Sequence, residues 1–549
     1  MHPSPLVRFL PVLLFGLLTL WGCTPTPEEA STPATQNLAT GSTDNVLTYQ
    51  GEISGVWADA QARIRVFRGV PYARPPIASM RWRPPGTASA RATTYKADTF
   101  KPACWQVPAS DNFVWARGNF ERSEDCLYLN IWARDDAANL PVMVWFHGGA
   151  HTGGMSHDRI FDGTEIARRD VVLVSVNYRL GPMGFLALPE LAAESSQDSA
   201  GNYGLLDKIA ALNWIGENVA QFGGDAENVT IFGQSAGSQS VCSLMASPLA
   251  RGLFQRAIGQ SAACVSPIPV ADARGFARGS AMVRATGTEQ TDLAALRAIS
   301  PDTLLRAARD SGWANQSRIT IDGWVLPAPP EEIYAAGQQA PVSLLAGTLA
   351  NEGYKLLPID ESLDLSAVRT RIAPWAGNQT DALLTAYEVE RDPPKAYQSL
   401  LTDLMMTYGA RRWVQYQQRL QPDAHYLYFM DHAPPAFKLY RPDDPALELQ
   451  GGPRTAGAYH SGDLAFVFGN TRKVGVGWKP QDHQLAQIMV GYWTNFARSG
   501  NPNGDGLPPW PAYDPAAHTT QRLNSNVQTI NGAQRARLDL IEAALPLGG

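Results

Sequence analysis

Residues 229–246 read Val-Thr-Ile-Phe-Gly-Gln-Ser-Ala-Gly-Ser-Gln-Ser-Val-Cys-Ser-Leu-Met-Ala. The first four residues are mostly β-branched or aromatic, which is typical of a buried strand, and residues 238–246 are compatible with a helix. Ser235 lies between these two parts, with a glycine two positions before it and another two positions after it. The segment therefore predicts a buried strand, a sharp turn at Ser235 and a helix.

Other apolar runs also lead into glycine-rich loops. Strand-like runs occupy residues 140–146 and 171–176, and the first leads into His-Gly-Gly-Ala at 147–150. Runs of this kind that alternate with helical patterns are typical of an α/β sheet. The sequence therefore predicts an α/β fold, and it contains neither an internal repeat of solenoid period nor a block of like charges.

Composition limits the classes to which the protein can belong. Of its 549 residues, 44% are hydrophobic and 17% are charged, which suffices for a large core and argues against a disordered chain. The 51 Asp and Glu residues outnumber the 45 Lys and Arg residues, so the net charge is −6. This sign opposes binding to the phosphates of nucleic acids, and we expect no nucleic acid partner.

Three histidines, His147, His151 and His157, lie in and beside the His-Gly-Gly-Ala loop. They could be interpreted as metal ligands, but a glycine-rich loop does not hold imidazoles in one coordination geometry. The chain also contains neither C-x-x-C nor H-E-x-x-H. We therefore expect neither a metal nor a cofactor.

The N-terminus has the features of an export signal. Arg8 is the only Lys, Arg, Asp or Glu among the first 22 residues, and the apolar stretch 9–22 is shorter than the ~20 residues that cross a bilayer. Residues 20–23, Leu-Trp-Gly-Cys, resemble a bacterial lipobox, which implies that Cys23 carries lipid; an ordinary secretory signal is the alternative. By the same resemblance, Thr24 favours the outer membrane. We expect an exported protein that a lipid at Cys23 anchors in the bacterial envelope.

The rest of the chain is predicted to form a tether and one folded domain. Residues 1–22 are the expected signal peptide, residues 23–46 are a Thr- and Pro-rich flexible tether, and residues 47–549 are the expected folded domain. Four further cysteines remain, and export places them where disulfides persist. The sequence permits three pairings, with buried thiols as the alternative. We expect the neighbours to pair, as Cys104 with Cys126 and Cys242 with Cys264.

The glycines around Ser235 are typical of a nucleophile elbow. In such a turn, a side chain at Gly233 or Gly237 would collide with the closely packed strand and helix. A second serine, Ser261, also follows an apolar run, but it lacks the second glycine, and Pro267 opposes a helix there. We therefore expect Ser235 to be a nucleophile and Ser261 to be structural.

Six motifs resemble those of the type-B carboxylesterases, which include cholinesterases and fungal lipases. The motifs occupy residues 67–73, 124–131, 177–181, 201–204, 222–237 and 493–497. The resemblance implies an α/β-hydrolase fold, in which a large and mostly parallel central sheet is flanked by helices. It also implies long insertions that form a cap, between residues 266 and 341 and between residues 354 and 455.

The same resemblance supplies the partners of the serine. It implies a catalytic triad of Ser235, Glu352 and His460. Glu352 comes just after an apolar run, where this fold presents catalytic groups, and an imidazole can take and return a proton near neutral pH. His432 is the main alternative to His460 as the base.

A triad of this kind hydrolyses carboxylic esters through an acyl-enzyme. The resemblance therefore implies an ester hydrolase, lipase-like or active on aromatic esters or polyesters, whose partners are a small-molecule ester and water. The alternatives are a non-catalytic surface binding protein and an amidase or transacylase with the same triad. Backbone N–H groups of three residues are implied as the oxyanion hole: Gly149, Ala150 and Ala236.

Two positions depart from the pattern of these relatives. Gln234 stands where they usually carry glutamate before the nucleophile, and Asp463 stands where they often carry glutamate after the histidine. The first departure removes a negative charge beside Ser235. We therefore expect neutral or acidic esters to be preferred over cationic choline esters.

Overall fold

A computed structural model gives the fold of residues 45–545, apart from residues 108–112, 117, 119, 267–270, 274, 289–291, 316–318, 423–424 and 442–446. The predicted signal peptide, Cys23 and nearly all of the predicted tether lie outside the described residues. None of the helices described is both long enough and apolar enough to cross a membrane.

The strands alternate with helices along the chain, as the apolar runs predict. In chain order the strands are β1 Val46–Thr48, β2 Gly51–Ser54, β3 Val56–Asp59, β4 Ile64–Pro71, β5 Tyr95–Lys96, β6 Ala103–Cys104, β7 Arg122–Ser123, β8 Tyr128–Arg134, β9 Leu140–Phe146, β10 Val172–Val176, β11 Gly224–Gln234, β12 Arg256–Gln260, β13 Ala271–Ala273, β14 Ile319–Ile321, β15 Ser343–Leu349, β16 His425–Met430, β17 Thr519–Leu523 and β18 Gln528–Asn531. The predicted strands at 140–146 and 171–176 are confirmed as β9 and β10.

The α-helices are α1 Thr164–Ala167, α2 Gly181–Phe185, α3 Pro189–Glu194, α4 Tyr203–Asn218, α5 Ala236–Ala246, α6 Phe276–Arg284, α7 Leu293–Ala298, α8 Pro301–Asp310, α9 Pro330–Ala335, α10 Leu365–Ala376, α11 Thr380–Ala386, α12 Pro393–Thr402, α13 Tyr408–Leu420, α14 Leu464–Val467, α15 Pro480–Ser499 and α16 Arg535–Ala544. A π-helix, Asp403–Thr407, joins α12 to α13. Helix α5 begins two residues before the predicted start at 238, because the chain turns into the helix directly after Ser235.

Among the described residues, eleven strands form one central sheet, in the order β18-β17-β16-β15-β12-β11-β9-β10-β8-β4-β3. The strands from β17 to β10 in this order are parallel to one another, and antiparallel strands flank them at both edges. The predicted mostly parallel sheet is therefore confirmed. Parallel strands present their carboxyl ends at one edge, so the residues that follow β9, β11 and β15 come together there.

Both faces of the central strands are covered by helices. Ile231 of β11 belongs to a buried apolar cluster that includes Leu212 of α4 and Val241 of α5. The next residue, Phe232, points to the other face and belongs to a second cluster that includes Trp493 of α15. Successive residues of a strand point to opposite faces, so a strand covered on both sides must be apolar throughout. This explains the unbroken apolar run that begins at Val229.

The two long insertions fold largely as helices and meet beside the carboxyl edge of the sheet. Helices α10 to α12 pack with the C-terminal helix α16 around a third apolar cluster that includes Leu383, Leu400 and Ile541. The hydroxyl of Ser266, in the first insertion, donates to the carbonyl oxygen of Leu404 in the second at 2.8 Å. The insertions thus join each other next to the loops that follow the strands.

Both predicted disulfides are present. Cys104 is bonded to Cys126, and Cys242 is bonded to Cys264. Each bond closes a separation of 22 residues, and a loop of that length is expected to contribute about 3 kcal/mol of stability. The first bond fixes the base of the loop that precedes β8, and the second ties α5 to the segment after β12.

The buried environment of His425, the first residue of β16, predicts a loss of folding stability in acid. Nδ1 of His425 accepts the N–H of Leu344 at 3.2 Å, and burial lowers the pKa of His425 to about 4. The unfolded chain, with a histidine pKa of about 6.5, therefore takes up the proton first as the pH falls, and stability is lost from pH ~6.5 to ~4.

We expect the wild type to lose about 2 kcal/mol more unfolding free energy between pH 7.5 and 5 than the variant His425→Gln. Urea unfolding at a series of pH values measures this difference. Between pH 7.5 and 9 the difference between the two proteins should stay constant, because the imidazole is neutral in both states. Stability curves that remain parallel down to pH 5 would contradict the assignment.

Candidate active site

Ser235 occupies the sharp turn between β11 and α5. Its backbone has φ 56° and ψ −123°, which is a strained conformation for a residue with a side chain, and its N–H donates to the carbonyl oxygen of Gln260 at 2.8 Å. A Cβ on Gly237 would lie 1.9 Å from the carbonyl oxygen of Phe146, and a Cβ on Gly233 would lie 2.5 Å from the backbone of Gly237. The two flanking glycines are therefore required by close packing, as the sequence predicts.

The close approach of Gly237 to the carbonyl oxygen of Phe146 predicts that Gly237→Ala is destabilising. The added methyl group meets backbone atoms that cannot rotate away, so we expect a loss of about 3 kcal/mol or more. The matched control is Gly216→Ala, in an exposed turn of α4, where a Cβ would meet nothing within 4 Å. That change should raise stability by up to ~1 kcal/mol, because alanine favours a helix. Thermal unfolding of both variants measures the effect, and shifts of equal sign and size would contradict it.

Ser261 resembles Ser235 in its backbone but not in its surroundings. Its φ is 58°, and its N–H donates to the carbonyl oxygen of Gly347 at 2.9 Å, so it too ends a strand in a strained turn. It is fully buried, however, and residues 262–266 form no helix. The expected distinction between the two serines agrees with this difference, because Ser235 is half-buried and directly precedes a helix.

Glu352 and His460 are brought into direct contact. Nδ1 of His460 lies 2.6 Å from Oε2 of Glu352, and both side chains are buried. The other carboxylate oxygen, Oε1, accepts the N–H of Leu349 at 2.9 Å. The acid is therefore held from both sides, by the last residue of β15 and by the imidazole.

A side chain that the sequence analysis missed aligns these two loops. Asn351 forms an isolated parallel bridge with Tyr459, and its N–H donates to the carbonyl oxygen of Ala458 at 3.0 Å. The side-chain oxygen of Asn351 accepts the N–H of Ala458 at 2.9 Å. A Cβ on Gly457 would lie 2.1 Å from that oxygen, so a glycine is needed there. The only signal in the sequence is that Asn351 and Tyr459 directly precede Glu352 and His460.

His432, the alternative base, has a different partner. Its Nε2 lies 2.6 Å from Oδ1 of Asp482, which also accepts the N–H of Lys479 through Oδ2 at 2.6 Å. Asp482 belongs to the first turn of α15, so this pair stabilises the start of a helix. The structure therefore joins Glu352 to His460 and not to His432.

The His-Gly-Gly-Ala loop lies against the turn at Ser235. A Cβ on Gly148 would lie 3.1 Å from Cβ of Ser235, so only glycine permits this approach. Ala150 has a positive φ of 54°. Within the described residues, the N–H groups of the expected oxyanion hole make no hydrogen bond to the protein: Gly149, Ala150 and Ala236. These N–H groups are thus available to donate hydrogen bonds to a developing negative charge.

An aromatic stack packs against this loop. The ring of Tyr178 stacks on that of His147 at 4.4 Å between centroids, and its hydroxyl donates to the carbonyl oxygen of His147 at 2.6 Å. Nζ of Lys208 lies 3.1 Å from the ring centroid of Tyr178, and burial lowers the pKa of Lys208 well below its usual value. His147 therefore has a structural environment, and no cluster of three possible metal ligands occurs in the described part of the chain.

Gln234, the residue before Ser235, contacts the imidazole. Its side-chain nitrogen lies 3.1 Å from Nε2 of His460. Within the described residues, Oγ of Ser235 makes no hydrogen bond to Nε2 of His460.

Asp463 occupies a second buried position behind the pair formed by Glu352 and His460. Its Oδ2 accepts from the side-chain amide of Gln260 at 2.7 Å and from the hydroxyl of Tyr428 at 3.2 Å. Burial raises the pKa of Asp463 to about 6, and the charge of Glu352 adds to this effect. The site therefore holds two carboxyl groups, of which Glu352 bonds directly to the imidazole.

Aromatic side chains line the neighbourhood of the imidazole. The ring of Trp115 lies 6.0 Å from that of His460, and its indole N–H lies 3.4 Å from Oγ of Ser461. Phe113 contacts Trp115 at 5.3 Å and Tyr354 at 5.5 Å between ring centroids. Trp115 lies in the loop that the bond between Cys104 and Cys126 closes. Among the described residues, aromatic rings thus border the imidazole.

Comparisons with known proteins agree with this fold. A family model described as the carboxylesterase family matches residues 42–541. The para-nitrobenzyl esterase of Bacillus subtilis is 32% identical over 506 residues, which cover 88% of this chain and 96% of that protein. The human cocaine esterase is 32% identical over 545 residues, which cover 91% of each chain.

Solved structures give the same result. A structure of PNB esterase superposes with a TM-score of 0.77 at 29% identity and covers 90% of this chain and 99% of its own. A carboxylesterase from Geobacillus stearothermophilus superposes with a TM-score of 0.76 at 31% identity and the same coverage. These proteins have the α/β-hydrolase fold that the sheet order and the turn at Ser235 indicate.

Proposed function

This chain belongs to the carboxylesterase family, and on that premise we propose that Ser235, Glu352 and His460 are its catalytic triad. The protein is a carboxylic ester hydrolase. The observation that carries the assignment is the buried contact of 2.6 Å between Nδ1 of His460 and Glu352, beside a serine in a strained turn before a helix. The hydrolysis of esters by wild type and Ser235→Ala, developed in the Discussion, tests the assignment.

The proposed reaction begins at Ser235. Its Oγ attacks the ester carbonyl carbon while its proton passes to Nε2 of His460. The negative charge that develops on the carbonyl oxygen is stabilised by the N–H groups of the oxyanion loop and of Ala236. His460 then returns the proton to the leaving alcohol, and an acyl-enzyme remains on Ser235. A water molecule repeats both steps and releases the acid.

Glu352 fixes the direction of proton transfer. As a carboxylate it only accepts hydrogen bonds, so the imidazole must direct Nδ1–H toward it and present the lone pair of Nε2 to the serine. The N–H of Leu349 and the bridge at Asn351 keep the carboxylate in place. The charge of Glu352 also stabilises the imidazolium that forms in each half-reaction.

The proposed substrates are neutral esters with apolar or aromatic groups, including lipase-type and polyester substrates. Gln234 places an uncharged amide beside the nucleophile, and the aromatic rings of Trp115 and Phe113 border the base. The name of the para-nitrobenzyl esterase of Bacillus subtilis supports an aromatic alcohol group. None of these features offers a negative charge to a cationic alcohol.

A hydrolysis panel tests the proposed preference. Purified protein is assayed on benzyl, alkyl and choline esters that share one acyl group, on a matched amide and on polyester films. We expect kcat/KM for neutral esters to exceed that for the choline ester by tenfold or more, which corresponds to about 1.4 kcal/mol. Equal values for matched cationic and neutral esters would contradict the preference, and faster cleavage of the amide would favour an amidase.

We also propose that the exported protein is anchored in the outer membrane by lipid on Cys23. The lipobox-like sequence that ends at Cys23 supports this proposal, and so do the two disulfides, which are typical of exported proteins. Detergent phase partition of wild type, Cys23→Ser and the control Thr26→Ala tests it. We expect only Cys23→Ser to leave the detergent phase. A wild-type protein in the aqueous phase would contradict the proposal.

A further inference from the structure

The hydrogen bonds of His460 define which of its ring nitrogens carries the proton. Nδ1 lies 2.6 Å from a carboxylate oxygen of Glu352, which accepts and cannot donate, so Nδ1 bears the hydrogen. Nε2 of a neutral imidazole then presents a lone pair. Its neighbour at 3.1 Å is the side-chain nitrogen of Gln234, and two nitrogens can bond here only if the amide N–H donates to that lone pair.

This contact occupies the position that the mechanism assigns to the serine. The lone pair of Nε2 must accept the proton of Ser235, yet Ser235 Oγ makes no hydrogen bond to His460 within the described residues, and the amide of Gln234 is the donor. An sp² nitrogen has one lone pair, so the amide and the hydroxyl compete for it. The described arrangement is therefore a resting one.

The carboxamide of Gln234 lies close to the oxyanion loop as well as to the imidazole. Gln234 is the last residue of β11 and is buried. Its side-chain oxygen lies 2.9 Å from the point that a Cβ on Gly148 would occupy, so the amide lies between the oxyanion loop and the imidazole. A substrate that places its carbonyl oxygen in this loop thus comes close to the side chain of Gln234.

We propose that Gln234 is a positioning residue that caps Nε2 of His460 in the resting enzyme and releases it to the Ser235 hydroxyl when an ester binds. This inference rests on the proposed triad. The amide N–H of the cap can bond to a lone pair on Nε2 but opposes an N–H at that atom. Gln234 is thereby distinguished from a glutamate at the same position, whose carboxylate would favour the imidazolium.

Other ionisable groups also face the imidazole. All of them are unchanged in the variants that test the cap. Glu352 bonds to Nδ1, and Asp463, with a pKa raised to about 6 by burial, lies behind it and interacts electrostatically with His460. Tyr428 from β16 donates to Asp463, and Arg454 acts on the neighbouring Tyr459. Because these groups are common to all variants, a difference between pH profiles reports on position 234.

The test is the acid limb of the kcat/KM profile against pH for an uncharged ester. Gln234→Met removes the donor without adding charge, so we expect its limb to move upward by roughly half a pH unit. Gln234→Glu adds a carboxylate, and we expect its limb to lie at least about one pH unit above that of the wild type. The control Gln484→Glu, which adds the same charge on an exposed part of α15, should leave the limb unchanged.

A Gln234→Met limb that coincides with the wild-type limb would overturn the cap, because a merely structural side chain would change rates without moving the profile. If Gln234→Glu does not fold, Gln234→Met alone decides the question. This result is distinct from failure of the triad. Hydrolysis that persists in Ser235→Ala would defeat the proposed function, whereas an unmoved limb in an enzyme that requires Ser235 defeats only the cap.

Discussion

Replacement of Ser235 by alanine is expected to lower kcat for a p-nitrophenyl ester by roughly 10⁶. The reason is that the acyl-enzyme requires an oxygen nucleophile at this position, and the strained turn before α5 is where the chain presents the Ser235 hydroxyl. The oxyanion hole and the binding surface remain, so a residual rate above that of water is expected. Steady-state hydrolysis with highly purified protein measures the loss.

The matched control is Ser261→Ala. Ser261 shares the positive φ and the position at a strand end, but it is fully buried and precedes no helix. We expect the control to retain kcat within about tenfold of the wild-type value, since it leaves the triad in place. If Ser235→Ala keeps substantial hydrolysis, or if Ser261→Ala causes the larger loss, the assignment of the nucleophile is wrong.

Replacement of Glu352 by glutamine is expected to lower kcat by about 10⁴. Glutamine preserves the shape of the side chain, but its amide can donate to Nδ1 of His460 and so favour the tautomer that carries hydrogen on Nε2. That tautomer cannot accept the proton of Ser235. The uncharged amide also leaves the imidazolium without its partner in a fully buried site.

The control for this charge change is Glu361→Gln, which alters an exposed residue near the start of the second insertion. It should leave kcat unchanged within a factor of about two, because exposed charges interact weakly through water. Steady-state kinetics and thermal unfolding are measured on both variants, so that a loss of rate is separated from a loss of structure. A well-folded Glu352→Gln enzyme with less than a tenfold loss would show that another acid supports His460.

Short-range sterics explain why the turn at Ser235 was predictable from the sequence. Gly233 and Gly237 lie within two residues of the serine, and each is required by atoms that a strand and a helix always bring together. The strands at 140–146 and 171–176 were predictable for a similar reason, because parallel strands covered on both faces are apolar along their whole length. Such local patterns depend only on residues that are close together in the sequence.

The contacts that complete the site join residues far apart in the chain, and the sequence alone did not reveal them. Asn351 meets Ala458 across 107 positions, and Gln234 meets His460 across 226 positions. The choice of His460 over His432 likewise came from the resemblance to relatives. The fold places His460 beside Glu352 and places His432 beside Asp482.

The most direct test of the central claim is the location of a covalent adduct. A fluorophosphonate forms a bond from phosphorus to an activated serine Oγ and releases fluoride, and peptide mass spectrometry then identifies the labelled residue. We expect one adduct, on Ser235, that is lost in Ser235→Ala and strongly slowed in His460→Ala. An adduct on Ser261 or elsewhere, or labelling of Ser235→Ala at the wild-type rate, would contradict it.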